Sequence, residues 1–253
     1  MNFSKIIKIF NQNKIKDYDF LYIYSDFRYF LLKHKNEPLR FIENFIEYFL
    51  SNNVTIIVPS FSYSKIKFEI DKTPSSLGFF SNYILQKKQS IRSEHPIFSY
   101  AAMGKKRNII KSVGHSAFGK DSLHARLLYN NACFLNIGRP LIKGNTLVHH
   151  VEQNYNAKYR YDKKFKSIVY NKNKKISSGK YSAYVRRLNY KSANKFTFKK
   201  VLKKLKKEKF IKNYGEEELY NNINIYPYDV FYFKLHQYYY NDKNIFIRYK
   251  ISE

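Results

Sequence analysis

The stretch EPLRFIENFIEYFLSNNVTIIVPSF, from Glu37 to Phe61, predicts a helix that runs almost directly into a buried strand. In its first part, aromatic side chains recur on one side of the predicted helix, at Phe41, Phe45, Tyr48 and Phe49. Its second part, VTIIVPSF, is rich in β-branched residues and is stopped by Pro59. The helical spacing of the aromatic residues and the β-branched run that follows therefore predict a helix and then a strand.

A second apolar run, FLYIYSDF from Phe20 to Phe27, precedes this helix and ends in a polar turn. A helix between two such strands makes a βαβ unit, so at least part of the sheet is expected to be parallel. ACFLNIG, from Ala132 to Gly138, predicts a further buried strand. With no repeat, low-complexity linker or clear domain boundary in the sequence, we expect one α/β domain with a mixed sheet flanked by helices.

The other segments give weaker predictions. MNFSKIIKIFNQNK at the start predicts an amphipathic helix, and SNYILQKK from Ser81 to Lys88 is also helical in pattern. SIVYNKNKKI from Ser167 to Ile176 predicts a hairpin with its turn at Asn171 to Asn173. We expect helices to dominate from Phe196 to Tyr240, and a strand over Asn244 to Ile251.

Composition excludes several classes of protein. The chain has 253 residues, enough for a core that needs no covalent staples, and a single cysteine, Cys133, within an apolar run. An internal disulfide is therefore impossible, and we expect a buried thiol and a cytoplasmic location. No apolar run approaches the roughly 18 residues of a membrane span, so none is expected.

The charge is strongly basic: Lys plus Arg is 47 and Asp plus Glu is 19, a net charge of +28. Nine lysines fall within KFTFKKVLKKLKKEKFIK, from Lys195 to Lys212. Apolar residues at helical spacing there predict a helix with one buried stripe and a basic face: Phe198, Val201, Leu202 and Leu205. The exposed face could bind polyanions, or the lysines could reflect a general bias toward Lys, Asn, Ile, Tyr and Phe. No nucleic-acid motif accompanies it, so no specific nucleic-acid partner is expected.

GNTLVHHVE, from Gly144 to Glu152, places His149 and Glu152 three residues apart after an N-cap at Asn145 or Thr146. On a helix, the two side chains would share one face. A carboxylate beside a histidine fixes its tautomer and raises its basicity, as a general base requires. The same spacing also arises by chance on solvated helices.

Three further motifs precede this one: DKTPSSLG (Asp71 to Gly78), IRSEHPIFSYAAMG (Ile91 to Gly104) and GKDSLHARLLYNNACFLNIG (Gly119 to Gly138). In this order and at these spacings, the chain resembles the aminoglycoside 3-N-acetyltransferase family of acetyl-CoA-dependent enzymes. The signature of the GNAT acetyltransferases is absent. The resemblance implies a CoA-binding and catalytic core over residues 1–160, followed by a hairpin and C-terminal helices over residues 161–253.

The resemblance also implies direct transfer of an acetyl group from acetyl-CoA to a primary amine of an amino sugar, without a metal. It makes His149 the general base, with Glu152 as its orienting partner or as a further substrate contact. His150 occupies an apolar position of the family and is expected to be a packing or surface residue. His95 precedes a proline and is expected to be a fixed turn residue with an internal hydrogen bond.

The resemblance assigns the remaining contacts by position. The candidate cofactor contacts are Ser25, Arg92, Ser93 and Ser99, and the candidate substrate contacts are Asp71 and Asn145. At the end of the first strand the family has His-Ser-Ser, whereas this chain has Tyr24, Ser25 and Asp26, a departure that bears on the diphosphate contacts. For Arg92, a structural ion pair is the alternative.

The charge bears on the acceptor. Aminoglycosides are polycations and are repelled at long range by a basic protein, whereas a nucleotide-linked amino sugar carries an attractive diphosphate. We therefore expect an amino sugar of a cell-surface-glycan pathway or one linked to a nucleotide. The alternatives are an aminoglycoside antibiotic, with resistance as the outcome, and an inactive scaffold that binds nucleic acid or a membrane surface. The sequence does not indicate an oligomeric state.

Overall fold

Two sheets organise the computed structural model. It describes residues 3–33, 37–64, 66–139, 141, 145–187, 199–210 and 222–247. The strands of these residues are β1 Phe20–Ser25, β2 Thr55–Pro59, β3 Lys67–Glu69, β4 Ile91–Arg92, β5 Tyr100–Met103, β6 Ala132–Ile137, β7 Arg160–Asn171, β8 Lys174–Arg186 and β9 Ile223–Pro227. The helices are α1 Phe3–Gln12, α2 Arg28–Lys33, α3 Pro38–Ser51, α4 Phe79–Gln86, α5 Leu123–Leu128, α6 Leu147–Asn154, α7 Lys199–Lys207 and α8 Tyr228–Asn241.

The larger sheet has the order β4-β5-β2-β1-β6-β9. Its centre is parallel, because β1 pairs in parallel with both β2 and β6, while β5 and β9 are antiparallel to their neighbours. The predicted βαβ unit is thus confirmed, and the fold is the mixed α/β arrangement that the sequence indicates. Helix α3 begins with Pro38, a residue favoured at a first helical position.

The alternation of side chains along β1 divides the core into two layers. Leu21 and Ile23 face a layer that contains Phe10 of α1 and Phe45 of α3. Tyr22 and Tyr24 face the opposite layer, which α5, α6, α7 and α8 cover with residues such as Val151. The histidine and glutamate of α6 therefore lie on the tyrosine-rich side of the sheet.

The smaller sheet has the order β3-β7-β8, and β7 and β8 form the predicted hairpin. Its turn residues Lys172 and Asn173 have φ angles of 48° and 64°, the left-handed conformation that a tight hairpin turn requires. The hairpin arms are much longer than the predicted segment. They extend the sheet toward α6, where Arg160 begins β7.

Helices α7 and α8 make up most of the described residues between Phe196 and Tyr240, as predicted, although strand β9 lies between them. The Asn224 side chain of β9 accepts a hydrogen bond from Asn136 Nδ2 at 3.1 Å, which satisfies a polar residue that disfavours strands in isolation. The prediction for the last strand was wrong in part. Asn244 to Phe246 form a turn instead of a strand, because Asp242 Oδ1 accepts the Asn244 N–H at 2.9 Å. Residues 248–251 of that predicted strand, and Phe198 of the basic helix, lie outside the described residues.

Candidate active site

Helix α6 begins in a buried polar environment. Thr146 occupies the N-cap position, and its side chain makes no capping bond, whereas the preceding Asn145 accepts the Leu147 N–H through Oδ1 at 3.0 Å. Thr146 donates its N–H to Tyr24 Oη at 3.0 Å, and its hydroxyl lies 2.6 Å from the same oxygen. These contacts fix the first turn of α6 against β1, and so fix where His149 and Glu152 lie.

His149 and Glu152 form the predicted pair. His149 Nδ1 lies 2.8 Å from Glu152 Oε2, so the imidazole donates to the carboxylate through Nδ1. The His149 side chain is 20% exposed, while that of Glu152 is 0% exposed. The pair is therefore not a solvated surface contact. It joins a partly accessible imidazole to a fully buried carboxylate.

Two residues that the sequence analysis missed complete the site. Arg160 Nε lies 2.6 Å from Glu152 Oε2, and Tyr159 Oη donates to Glu152 Oε1 at 2.8 Å. Both reach Glu152 because the chain reverses after α6: Asn156 has a φ of 48°, and the Ala157 N–H donates to the Glu152 carbonyl at 3.0 Å. Asn156, in the sequence NAKYR, was the one local indication of this chain reversal, since asparagine tolerates the left-handed conformation.

The electrostatics of this group favour a neutral imidazole. Burial lowers the pKa of His149 below its ordinary value, and the Arg160 guanidinium lowers it further. The hydrogen bond and charge of Glu152 oppose this shift. With Nδ1 committed to Glu152, the ring nitrogen that can act as a base near neutral pH is Nε2.

An open cleft of about 400 Å³ lies beside His149. One wall is the face of the hairpin that carries Tyr161, Lys163 and Phe165 at alternate positions of β7. The remaining lining residues are Tyr63, Ile97, Phe98, Arg160, Ala183, Tyr184, Val185 and Arg186. The lining is thus aromatic and basic, and none of these described residues is acidic.

Ser25 lines a different cavity, of about 430 Å³, at the carboxyl end of β1. Arg28, Arg139 and Gly78 line it too, the last at the start of α4. Asp26 also lines this cavity and pairs with Arg28 at 2.5 Å, and this hydrogen bond holds the pKa of the Asp26 carboxyl below its usual value. The negative charge of Asp26 is therefore balanced within the cavity wall.

Arg92, Ser93 and Ser99 bond to other parts of the chain. Arg92 donates to Ser99 Oγ at 3.0 Å, to the Ser60 carbonyl at 2.6 Å and to the Thr73 carbonyl. Ser93 Oγ accepts the Tyr100 N–H at 2.8 Å. The structural partners of Arg92 are thus a hydroxyl and carbonyl oxygens, and the predicted alternative was an ion pair. Its bond to the Thr73 carbonyl fixes the turn that leads to Gly78. Contact of these three residues with the cofactor remains a prediction.

The predicted substrate contacts lie apart from His149. Asp71 is exposed, and its Oδ1 accepts the Lys172 N–H at 3.3 Å at the distal turn of the hairpin. Asn145 is 1% exposed below the start of α6, with its Nδ2 buried and without a hydrogen-bond partner among the described residues. The cleft beside His149 is lined by neither of them.

The other histidines of the motifs have internal partners. His95 Nε2 donates to the Ser182 carbonyl at 3.2 Å while Nδ1 accepts the Phe98 N–H at 3.1 Å, the internal bonding predicted for a turn residue. His150 Nδ1 donates to the Phe118 carbonyl at 2.6 Å and is buried, as expected of a packing residue. Cys133 is fully buried in β6. Within the described ranges, no group of three or more His, Cys, Asp and Glu could hold a metal ion.

The site thus joins an imidazole at the edge of an open cleft to a buried carboxylate, on a mixed α/β scaffold. The sequence model of the family described as aminoglycoside 3-N-acetyltransferase matches residues 41–219. The chain belongs to this family, and it is therefore an N-acetyltransferase whose co-substrate is acetyl-CoA.

Solved structures show the same fold. The apoenzyme of aminoglycoside acetyltransferase AAC(3)-IVa is 21% identical with a TM-score of 0.68, over 91% of this chain and 85% of that chain. A histidine-to-alanine variant of that enzyme in complex with a gentamicin is 18% identical with a TM-score of 0.69, over 91% and 85% of the chains. The YokD protein from Bacillus subtilis is 16% identical with a TM-score of 0.65, over 88% of this chain and 92% of that chain.

No curated protein sequence matches the chain. Among the described helices, none is long and apolar enough to cross a membrane.

Proposed function

We propose that this enzyme transfers the acetyl group of acetyl-CoA directly to a primary amine of an anionic amino sugar, with His149 as the general base. The observation that carries the proposal is the site of His149: its Nδ1 is bound to the buried Glu152, and its ring lines an aromatic, basic cleft. Such a site can take a proton from a bound amine and can hold a sugar against aromatic faces.

In this reaction the amine nitrogen forms a bond to the thioester carbonyl carbon, and the carbon–sulfur bond breaks. The proton lost by the nitrogen passes to His149 Nε2, and the CoA sulfur leaves with the electron pair of the broken bond. Glu152 stabilises the imidazolium formed, because its carboxylate accepts the Nδ1–H throughout. His149 can then return its proton to the departing thiolate or to water.

The cavity at Ser25 fits the phosphates of acetyl-CoA. Two arginines, Arg28 and Arg139, line it with the Ser25 hydroxyl, and a helix begins at its wall. Arg92, held by Ser99, would act on this wall indirectly, through the Thr73 carbonyl of the turn that leads to Gly78, whereas Ser93 bonds within the sheet. When bound there, acetyl-CoA supplies the activated acetyl group.

The charge of the cleft bears on the acceptor. Glu152 balances Arg160, while Lys163 and Arg186 add positive charge to the same lining. A polycation would be repelled there, whereas a phosphate or carboxylate beside the amine would be attracted. A nucleotide-linked amino sugar of glycan synthesis has this chemistry. An aminoglycoside acceptor is the second candidate, because a solved neighbour binds a gentamicin.

The test is release of CoA from acetyl-CoA with nucleotide-linked amino sugars, gentamicin or apramycin as acceptors. We expect turnover with the nucleotide-linked sugars and a loss of about 10²- to 10⁴-fold in kcat for His149→Ala. His236→Gln is the matched control, since this half-buried histidine contacts Tyr155 outside the cleft. Turnover with aminoglycosides alone would establish the second candidate, and salt-dependent polyanion binding without turnover would indicate an inactive scaffold.

A further inference from the structure

Glu152 is surrounded so completely that its charge needs a structural explanation. It is 0% exposed, and a buried charge is costly unless an opposite charge and hydrogen bonds compensate it. The role of Glu152 in the proposed reaction therefore depends on a compensating positive charge.

Arg160 supplies that charge at the shortest distance in the site. Its Nε is 2.6 Å from Glu152 Oε2, the same oxygen that accepts His149 Nδ1–H. Arg160 Nη1 donates to the Tyr184 carbonyl at 2.9 Å, which fixes the guanidinium between the end of α6 and β8. Tyr159 occupies the other carboxylate oxygen, so Glu152 cannot rotate away from His149 without breaking two contacts.

We infer that Arg160 is a positioning residue, which pairs with the buried Glu152, holds it against His149 and so keeps the imidazole oriented and unprotonated for proton transfer. This inference rests on the proposed role of His149 as the base. Arg160 acts in two ways. It offsets the buried negative charge, and it disfavours a second positive charge on the adjacent imidazole until the amine delivers its proton.

The test is the titration of His149, followed by NMR of histidine ring nitrogens in the wild type, Arg160→Lys and Arg160→Gln. Comparison with His149→Gln assigns the resonance. We expect the pKa of His149 to rise in Arg160→Gln, because the larger of the two arginine charges that oppose Glu152 would be gone, while burial and the smaller effect of Arg186 would be the same in each protein. Arg160→Lys should keep it close to the wild-type value. Arg126→Gln is the matched control, since Arg126 bonds the Ile109 and Lys111 carbonyls away from the cleft.

Activity gives a second readout. We expect Arg160→Gln to lose roughly tenfold to a hundredfold in kcat at about pH 6.5 and less at about pH 8.5, where His149 would again be neutral. A loss that is equal at both pH values, with an unchanged His149 titration in folded protein, would overturn the inference. The NMR titration of His149 needs no acceptor, so its result can be interpreted even if the enzyme does not turn over the proposed acceptor.

If Arg160→Gln does not fold, a single variant of Glu152 and the double variant, in which the two charge changes cancel, decide the question. Glu152→Gln alone should lower the pKa of His149, because the Arg160 charge is then unopposed. Glu152→Gln with Arg160→Gln should raise it again relative to the single variant. Equal titrations of His149 in these two proteins would show that Arg160 has only a structural role.

Discussion

Tyr24 Oη lies 2.6 Å from Thr146 Oγ1, and this contact joins the central strand β1 to the first turn of the helix that carries His149. Thr146 also bonds His124 Nε2 at 2.9 Å, and His124 Nδ1 lies 2.5 Å from Tyr228 Oη. A polar network thus runs through the tyrosine-rich core beneath the site. It fixes α6 by directional bonds where apolar packing alone would permit small rotations.

Tyr24→Phe tests this connection. The substitution removes the oxygen that accepts the Thr146 N–H, so a buried donor at the start of α6 loses its partner. We expect unfolding free energy to fall by about 1–3 kcal/mol in urea titrations, and kcat to fall roughly tenfold as His149 loses its fixed position. Tyr129→Phe is the control, because Tyr129 is 89% exposed and does not line the cleft. An equal effect of both substitutions would contradict the argument.

Arg92→Lys tests whether Arg92 holds the protein together or binds the cofactor. The guanidinium donates to the Ser60 and Thr73 carbonyls, and an ammonium cannot reach both with the same geometry. We expect unfolding free energy to fall by about 2 kcal/mol, while the Kd of acetyl-CoA changes less than about threefold. Denaturant unfolding and calorimetric binding measure the two effects. A tenfold weaker Kd without a change in stability would show a direct cofactor contact.

The acid stability of the protein depends on its buried histidines. Burial lowers the pKa of His95 to about 4, whereas an unfolded histidine has a pKa near 6.5. The folded pKa is depressed, so the unfolded state binds the extra proton between these values, and stability falls as pH drops through this window. His95 alone contributes a loss of up to about 3 kcal/mol.

His95→Gln isolates this contribution. The amide can still donate to the Ser182 carbonyl, but it does not titrate. We expect a lower stability than wild type at about pH 7 and a smaller further loss between about pH 7 and pH 4.5, measured by urea unfolding at each pH. The buried His124 and His150 titrate in both proteins and cancel in the comparison. An unchanged pH dependence would show that His95 is already accessible to protons.

Local patterns made the central sheet and α6 predictable. The aromatic spacing of α3, the β-branched residues of β2 and Asn145 just before α6 each act over a few residues, so the sequence displays them. The His149–Glu152 pair follows from the helical period alone.

The contacts that could not be predicted from the sequence join residues that are brought together only by the tertiary fold. Arg160 contacts Glu152 only because the chain reverses at Asn156, and Arg92 meets the Ser60 carbonyl across 32 residues. Strand β9 exists because β6 offers an edge on which Asn224 finds a partner. These contacts are set by tertiary packing, which no local periodicity reports.

Arg139→Ala tests the cavity at Ser25 as the phosphate site. Arg139 lines that cavity with its guanidinium 5.2 Å from the centre of the Tyr24 ring. Loss of a phosphate contact should weaken acetyl-CoA binding roughly tenfold, and high salt should reduce the difference from wild type. Calorimetric titration at two ionic strengths measures both. Arg40→Ala, an exposed arginine paired with Glu37, is the control for the loss of one positive charge.

Lys163→Glu and Lys166→Glu separate the local charge of the cleft from the net charge of the protein. Both lysines lie on β7 and are exposed, but Lys163 lines the cleft. Side chains alternate between the two faces of a strand, so Lys166, three positions further along, projects from the opposite face of the hairpin. Each variant changes the net charge by the same amount, so a long-range effect would be equal in both. If the acceptor is anionic beside its amine, Lys163→Glu should raise its KM by roughly threefold to tenfold, and Lys166→Glu should leave it nearly unchanged.

For an aminoglycoside acceptor, Lys163→Glu should instead lower the KM, because a new carboxylate attracts the polycation. The CoA-release assay at low and at physiological salt measures these effects, and equal effects of the two variants would show that the cleft wall does not select the acceptor.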